Sequence, residues 1–147
     1  MKKNYFTPFF ALLVCLFSLV NTAKASNAIS IKEGYIKASI PGSNITAAYM
    51  TLVNQSDKAI TLQKITSDIS DRIEIHEHSM VDDMMRMRQV EQITIGANSI
   101  VVLEPSGLHL MIFSLKQQLR EDELKALTLH FSNSAKINIQ LPVSRYK

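Results

Sequence analysis

The sequence predicts an all-β fold, an antiparallel sandwich or barrel built from ten short strands. Two observations support this prediction. Runs rich in Ile, Val, Leu and Thr are short, and many of them alternate with polar residues, which is typical of β-strands. Polar turn signals containing Pro, Gly, Asn and Ser separate these runs at short intervals, as they do in sandwich and barrel domains.

Five candidate strands lie in the first half of the chain. The second contains Tyr49 and Met50 and is expected to be a core strand. A Pro-Gly-Ser turn at 41–43 precedes it, and an Asn-Gln-Ser-Asp turn at 54–57 ends it. The five predicted strands are residues 31–40, 46–54, 60–66, 72–78 and 85–90.

Five more candidate strands follow, with turns at 96–98 and 105–107 between them. One segment also fits a helix, because leucines in residues 114–129 recur roughly at helical spacing. A helical turn around 117–123 and an irregular loop both remain open. The predicted strands are residues 93–95, 99–104, 109–115, 126–131 and 136–141.

The first 25 residues differ in composition from the rest. Two lysines at 2–3 precede an apolar stretch over 5–20, and Ala23-Lys24-Ala25 follows. This order predicts a secretory signal peptide, residues 1–25, cleaved after Ala25 to leave one domain, residues 26–147, that works outside the cytoplasm.

Two other interpretations of this leader are less favoured. An uncleaved anchor would need a longer apolar core without Thr7 and Pro8. A lipoprotein signal would have a small residue before its cysteine, whereas Val14 precedes Cys15.

Removal of the leader changes the chemistry open to the protein. The whole chain has 16 basic and 13 acidic residues, but three lysines and no acid lie in the leader, so residues 26–147 carry 13 of each. The only cysteine is lost as well. Disulfides and thiol reductase chemistry are therefore excluded for the processed domain, and a blue-copper electron-transfer site, which needs a cysteine thiolate, is strongly disfavoured. The even charge also argues against a nucleic-acid partner.

Methionine and histidine are concentrated between residues 76 and 111, which contain five of the six methionines that follow the leader and three of the four histidines. An isolated methionine usually fills a core, as expected for Met50. Strand periodicity instead places Met85 and Met87 on one face and the neighbouring arginines on the other. In the same way, His109 and Met111 share a face.

Imidazole and thioether donors together favour Cu(I) among the common biological ions. Zinc would favour cysteine, histidine and carboxylate, and calcium or magnesium would favour oxygen ligands. His76 faces away from the apolar Ile73 and Ile75, so it is free to join such a site. The neighbouring acids, Glu77, Asp82 and Asp83, are interpreted as a solvated turn.

The spacing of these residues is specific. His76 and Met87 are separated by ten residues, Met87 and His109 by twenty-one, and His109 and Met111 by one. This H-x10-M-x21-H-x-M pattern resembles the signature of the PCuAC family of periplasmic copper chaperones. The resemblance extends over the processed domain, including the segments 47–54, 85–88 and 105–111.

The resemblance implies a cupredoxin-like Greek-key β-sandwich or barrel with a loop, not a long helix, between Leu115 and Leu124. It implies that His76, Met87, His109 and Met111 bind one Cu(I). It also implies delivery of copper to the dinuclear centre of cytochrome c oxidase, directly or with a Sco-type partner. We expect a monomer with no enzymatic activity, and a copper-buffering protein without a dedicated recipient remains the alternative.

Other members of the cluster are expected to have lesser roles. His78 is predicted to be a surface residue, with an accessory contact to the ion as the alternative. Met80, Met84 and Met85 are predicted to form an apolar rim around the ion. His130 lies away from the cluster and is expected to be structural or exposed.

Overall fold

The computed structural model describes residues 28–81 and 83–145, and the predicted signal peptide lies outside them. All ten predicted strands are present, and six of them extend further at one end than the pattern indicated. No helix in the described part of the chain is long and apolar enough to cross a membrane. The strands are β1 Ile29–Lys37, β2 Thr46–Asn54, β3 Ile60–Thr66, β4 Arg72–Val81, β5 Met84–Val90, β6 Ile93–Ile95, β7 Ile100–Leu103, β8 Leu108–Phe113, β9 Leu124–Phe131 and β10 Lys136–Ser144.

The strands form one curved sheet in the order β5-β4-β8-β2-β1-β10-β9-β3-β6, and β7 also pairs with β2. The chain crosses between the two halves at five connections, β2–β3, β3–β4, β5–β6, β6–β7 and β8–β9, as in a Greek-key barrel. The expectation of a wholly antiparallel sheet is wrong at one place. Strands β1 and β10 pair in parallel, with Ile36 opposite Val143, because the two halves of the sheet join there.

The core lies between the two halves and is almost entirely aliphatic. Ile36, Leu52 and Leu110 from one half and Leu62 and Leu129 from the other are fully buried in a single cluster. Each such side chain stabilises the folded state by about 1.5–3 kcal/mol, because folding removes its apolar surface from water. Because this cluster buries one face of β4 and β8, only the opposite face of these strands is available for a functional site.

Buried polar contacts fasten one end of the barrel. The side-chain amide nitrogen of Asn54, a residue only 1% exposed, lies 2.8 Å from the carbonyl oxygens of Lys58 and Gly96 and 3.1 Å from that of Ile95. Its amide oxygen accepts hydrogen bonds from the backbone and hydroxyl of Ser56. These contacts join the turn after β2 to the end of β6.

A bulge in β1 sets the position of Tyr35 opposite β2. The register of β1 against β2 shifts between Lys32 and Tyr35, and Glu33 has φ 53°. A Cβ on Gly34 would lie 2.5 Å from a methyl carbon of Leu141, so a larger residue there would require the Leu141 side chain to shift. Beyond the bulge, Tyr35 lies directly opposite Tyr49.

Residues 114–123 form a loop, as the family resemblance implied. Leu119 is buried, and its backbone N–H and carbonyl bond to the hydroxyl and N–H of Ser39. These groups therefore do not form the i to i−4 bonds of a helix. The leucine spacing in this segment reflects anchoring of the loop at Leu119 and the start of β9 at Leu124.

Candidate metal centre

The candidate site lies on the outer face of the sheet, which is the face of β5, β4, β8, β2 and β1 that is turned away from the core. On β4 and β8, Ile75, Leu110 and Ile112 are buried on the core side. Because side chains alternate along a strand, His76, His109 and their neighbours two residues away lie on the opposite face.

The register brings the four predicted ligands together on this outer face. Directly paired residues of an antiparallel ladder have side chains on the same face. β4 pairs with β8 on one side and with β5 on the other. The relevant pairs are Glu74 with Met111, His76 with His109, His78 with Met87, and Met80 with Met85.

His109 is the most deeply buried residue of the site, with 3% of its surface exposed. Its Nδ1 lies 3.0 Å from the carbonyl oxygen of Gly107. Since a carbonyl only accepts, Nδ1 carries the proton and Nε2 has the free lone pair that a metal ion requires. Burial lowers the pKa of His109, and nearby His78 and His76 lower it further against the opposing effect of the Gly107 bond. The neutral form is therefore favoured.

His76 is held through its other ring nitrogen. Its Nε2 lies 2.9 Å from Oε2 of Glu74, whose Oε1 lies 2.6 Å from Nε of Arg72. The hydrogen bond from His76, and then that from Arg72, hold the pKa of Glu74 below its ordinary value, so the carboxylate is ionised and accepts both bonds. The Nδ1 of His76 is buried and has no hydrogen-bond partner. This arrangement presents a free lone pair at Nδ1.

Aromatic rings enclose the two histidines. The ring centroids of His76 and His109 are 6.1 Å apart. Phe113 lies 5.8 Å from His76, and Tyr49 lies 6.4 Å from His109. Tyr35 lies 5.1 Å behind Tyr49 in turn. These rings pack around the imidazoles on the face that strand alternation gives them.

The methionines differ in exposure and in face. Met111 is half-buried, whereas Met87 is 49% exposed on the edge strand β5. Met80 and Met85 extend the same face toward the end of the β4–β5 hairpin, as expected for a rim. Met84 pairs with Val81 and lies on the opposite face, so it is not part of this rim.

His78 is not the simple surface residue that was expected. It is half-buried, and its ring centroid lies 5.0 Å from that of His109. The predicted strand ended at His78, but β4 continues without interruption to Val81, so His78 stays in phase with His76. The expectation for His130 is confirmed, since its Nε2 lies 2.8 Å from the hydroxyl of Thr66 on the other half of the sheet.

Within residues 28–81 and 83–145, no three His, Cys, Asp or Glu side chains are arranged to hold a metal ion. A metal site on this face would need donors beyond imidazole and carboxylate, and the thioethers of Met87 and Met111 lie on the same face as His76 and His109. Such a mixed donor set favours Cu(I). Sequence reasoning missed Glu74, although its position two residues before His76 would have placed it on the same strand face.

A family model places this fold among known proteins. Residues 29–143, from the first residue of β1 almost to the end of β10, match the family described as "Putative lipoprotein LpqE-like". The chain belongs to this family. A relative of this LpqE-like protein, "Putative lipoprotein Lxx21020" of Leifsonia xyli subsp. xyli, is 25% identical over 124 residues, which cover 84% of this chain and 74% of the relative.

Solved structures similar to this LpqE-like protein are PCuAC domains and a Cu(I)-bound protein. The copper-bound PCuAC domain from PmoF2 superposes with a TM-score of 0.69 at 20% identity, over 80% of this chain and 92% of that one. Cu(I)-bound DR1885 from Deinococcus radiodurans gives 0.69 at 27% identity, over 84% and 83%. The predicted cupredoxin-like barrel is confirmed, and the PCuAC resemblance is confirmed at the level of the fold.

Proposed function

We propose that this protein is an exported, periplasmic carrier that binds one Cu(I) through His76, Met87, His109 and Met111. One observation carries the proposal. Two imidazoles on one sheet face each present a nitrogen lone pair, Nδ1 of His76 and Nε2 of His109, because their other nitrogens are bonded to protein oxygens. Both thioethers lie on the same face.

The donor set and its exposure favour a carrier over an enzyme. Two imidazoles and two thioethers suit Cu(I) held without redox change, and they leave no dedicated acid or base beside it. Met87 at the exposed edge provides a ligand that a recipient can displace. The similarity to DR1885, which is described in its Cu(I) form, supports the same ion here.

The proposed recipient is the dinuclear copper centre of cytochrome c oxidase, reached directly or through a Sco-type protein. The PCuAC resemblance supports this recipient. The alternative is a periplasmic buffer that protects the cell from copper. A deletion strain separates the two: loss of oxidase activity at limiting copper supports delivery, and normal oxidase activity with raised copper sensitivity supports buffering.

A Cu(I) competition titration of residues 26–147 tests the site. We expect one Cu(I) per chain and at least about tenfold weaker binding in His109→Ala, Met111→Ala and Met87→Ala. Met84→Ala is the matched control for Met87→Ala, because Met84 is similarly exposed on the same strand but on the opposite face. Unchanged affinity in both His109→Ala and Met111→Ala would refute the assignment.

A further inference from the structure

His78 occupies a fixed place beside the proposed site. It lies directly opposite Met87 in the β4–β5 ladder, so the two side chains share the outer face. Its backbone N–H donates to the carbonyl of Gly107 over 3.2 Å, the same carbonyl that the ring of His109 contacts. Gly107 therefore ties His78 and His109 to one point of the loop before β8.

The ring of His78 is closer to His109 than the ring of His76 is. The centroid distances are 5.0 Å for His78 and 6.1 Å for His76, although His76 is the direct ladder partner of His109. The Nδ1 of His78 is buried without a hydrogen-bond partner. An unpaired buried nitrogen is costly, and a bound ion would remove that cost.

Exposure decreases along the outer face from the hairpin to the centre of the sheet. Met85 is 62% exposed, Met87 is 49% exposed, and His109 is 3% exposed. His78 lies between Met87 and His109 along this gradient. An ion held by these three residues would be nearer to solvent than one held by His76 and Met111.

We propose that His78 is a fifth copper ligand, which forms with Met87 and His109 an outer Cu(I) position. This position shares Met87 and His109 with the inner position, which is the proposed site of His76, Met87, His109 and Met111. Each set has two imidazoles and at least one thioether, so exchange between them does not change the oxidation state of the ion. The inference rests on the proposed Cu(I) function.

A double-mutant cycle of His76→Ala and His78→Ala, measured by Cu(I) competition, tests the outer position. In the parent protein the loss of His78 should be small, because the inner set remains. In the His76→Ala background the same loss should be at least about tenfold larger, because no second imidazole is then left beside His109. Nitrogen NMR of His76→Ala should also show a shift of the His78 Nδ1 resonance on Cu(I) addition.

His130→Ala in the same two backgrounds is the control for removal of an imidazole away from the site. The variant His78→Gln, examined by circular dichroism, checks that replacement of His78 leaves the fold intact. Additive effects, or an unshifted His78 resonance in Cu(I)-bound His76→Ala, would overturn the outer position and leave the proposed function standing. A parent protein that binds no Cu(I) would overturn both.

Discussion

The Nε2 nitrogen of His76 lies 2.9 Å from a carboxylate oxygen of Glu74, and this bond determines which nitrogen of the ring faces the candidate site. The other carboxylate oxygen bonds to Arg72, whose guanidinium lies 4.5 Å from the centroid of Phe113. Glu74 is thus a positioning residue, held from one side by Arg72 and orienting His76 on the other.

Replacement of this carboxylate should weaken Cu(I) binding. In Glu74→Gln the side chain keeps only one acceptor oxygen, so His76 and Arg72 can no longer both be bonded. We expect about tenfold lower Cu(I) affinity by competition titration. Glu77→Gln is the control, because Glu77 lies on the same strand, exposed and on the opposite face. Equal affinity in the two variants would contradict this role.

The burial of His109 predicts a pH dependence of stability. Since the pKa of His109 is lowered in the folded state, the unfolded chain binds more protons in mildly acidic solution. The stability is therefore complete above the ordinary histidine pKa of about 6.5 and is lost as the pH falls from there through the lower folded value. Urea denaturation at several pH values should show a steeper loss in the parent than in His109→Gln. Parallel profiles would refute this prediction.

Copper should stabilise the fold as well as bind to it. A ligand that binds only the folded state at a concentration one hundred times its Kd adds about 2.7 kcal/mol to the free energy of unfolding. We therefore expect Cu(I), kept reduced, to raise Tm by several degrees in differential scanning fluorimetry. Mg²⁺, which requires oxygen ligands, should leave Tm unchanged. An equal response to both ions would argue against a thioether site.

The end of the barrel far from the histidines offers an independent prediction. Asn54→Ala removes the amide that the carbonyls of Lys58, Ile95 and Gly96 contact, and should lower the free energy of unfolding by about 2–4 kcal/mol. Asn138→Ala, at an exposed hydrogen bond to Thr128, should cost less than about 1 kcal/mol. Chemical denaturation measures both. Similar losses of unfolding free energy in the two variants would contradict the prediction that the buried contacts of Asn54 stabilise the fold more than the exposed bond of Asn138.

Much of the fold could be predicted because strand alternation is a local property. Residues 46–54, 60–66 and 93–95 were predicted with the bounds that the structure has, since turns or polar residues limit them on both sides. The faces of His76, His109 and Met111 followed from the period of two. That they serve as copper ligands stays a prediction, for the experiments above to decide.

Properties that depend on pairing between strands could not be predicted from the pattern within one strand. The continuation of β4 to Val81 is set by its pairing with β5, and this pairing keeps His78 in phase with His76. The role of Glu74 depends on its contact with Arg72 and on the ring orientation of His76. Residue spacing in the sequence predicts neither of these. The parallel contact of β1 with β10 joins segments that no local pattern relates.

That parallel contact also constrains when the protein can mature. Ile36 and Val143 lie near opposite ends of the described chain, so the barrel closes only after almost all of it is available. Topologies dominated by such long-range contacts fold slowly, in milliseconds to seconds. We therefore expect metal loading to follow export and folding and not to accompany synthesis. The compartment in which the barrel closes would then determine which ion the protein acquires.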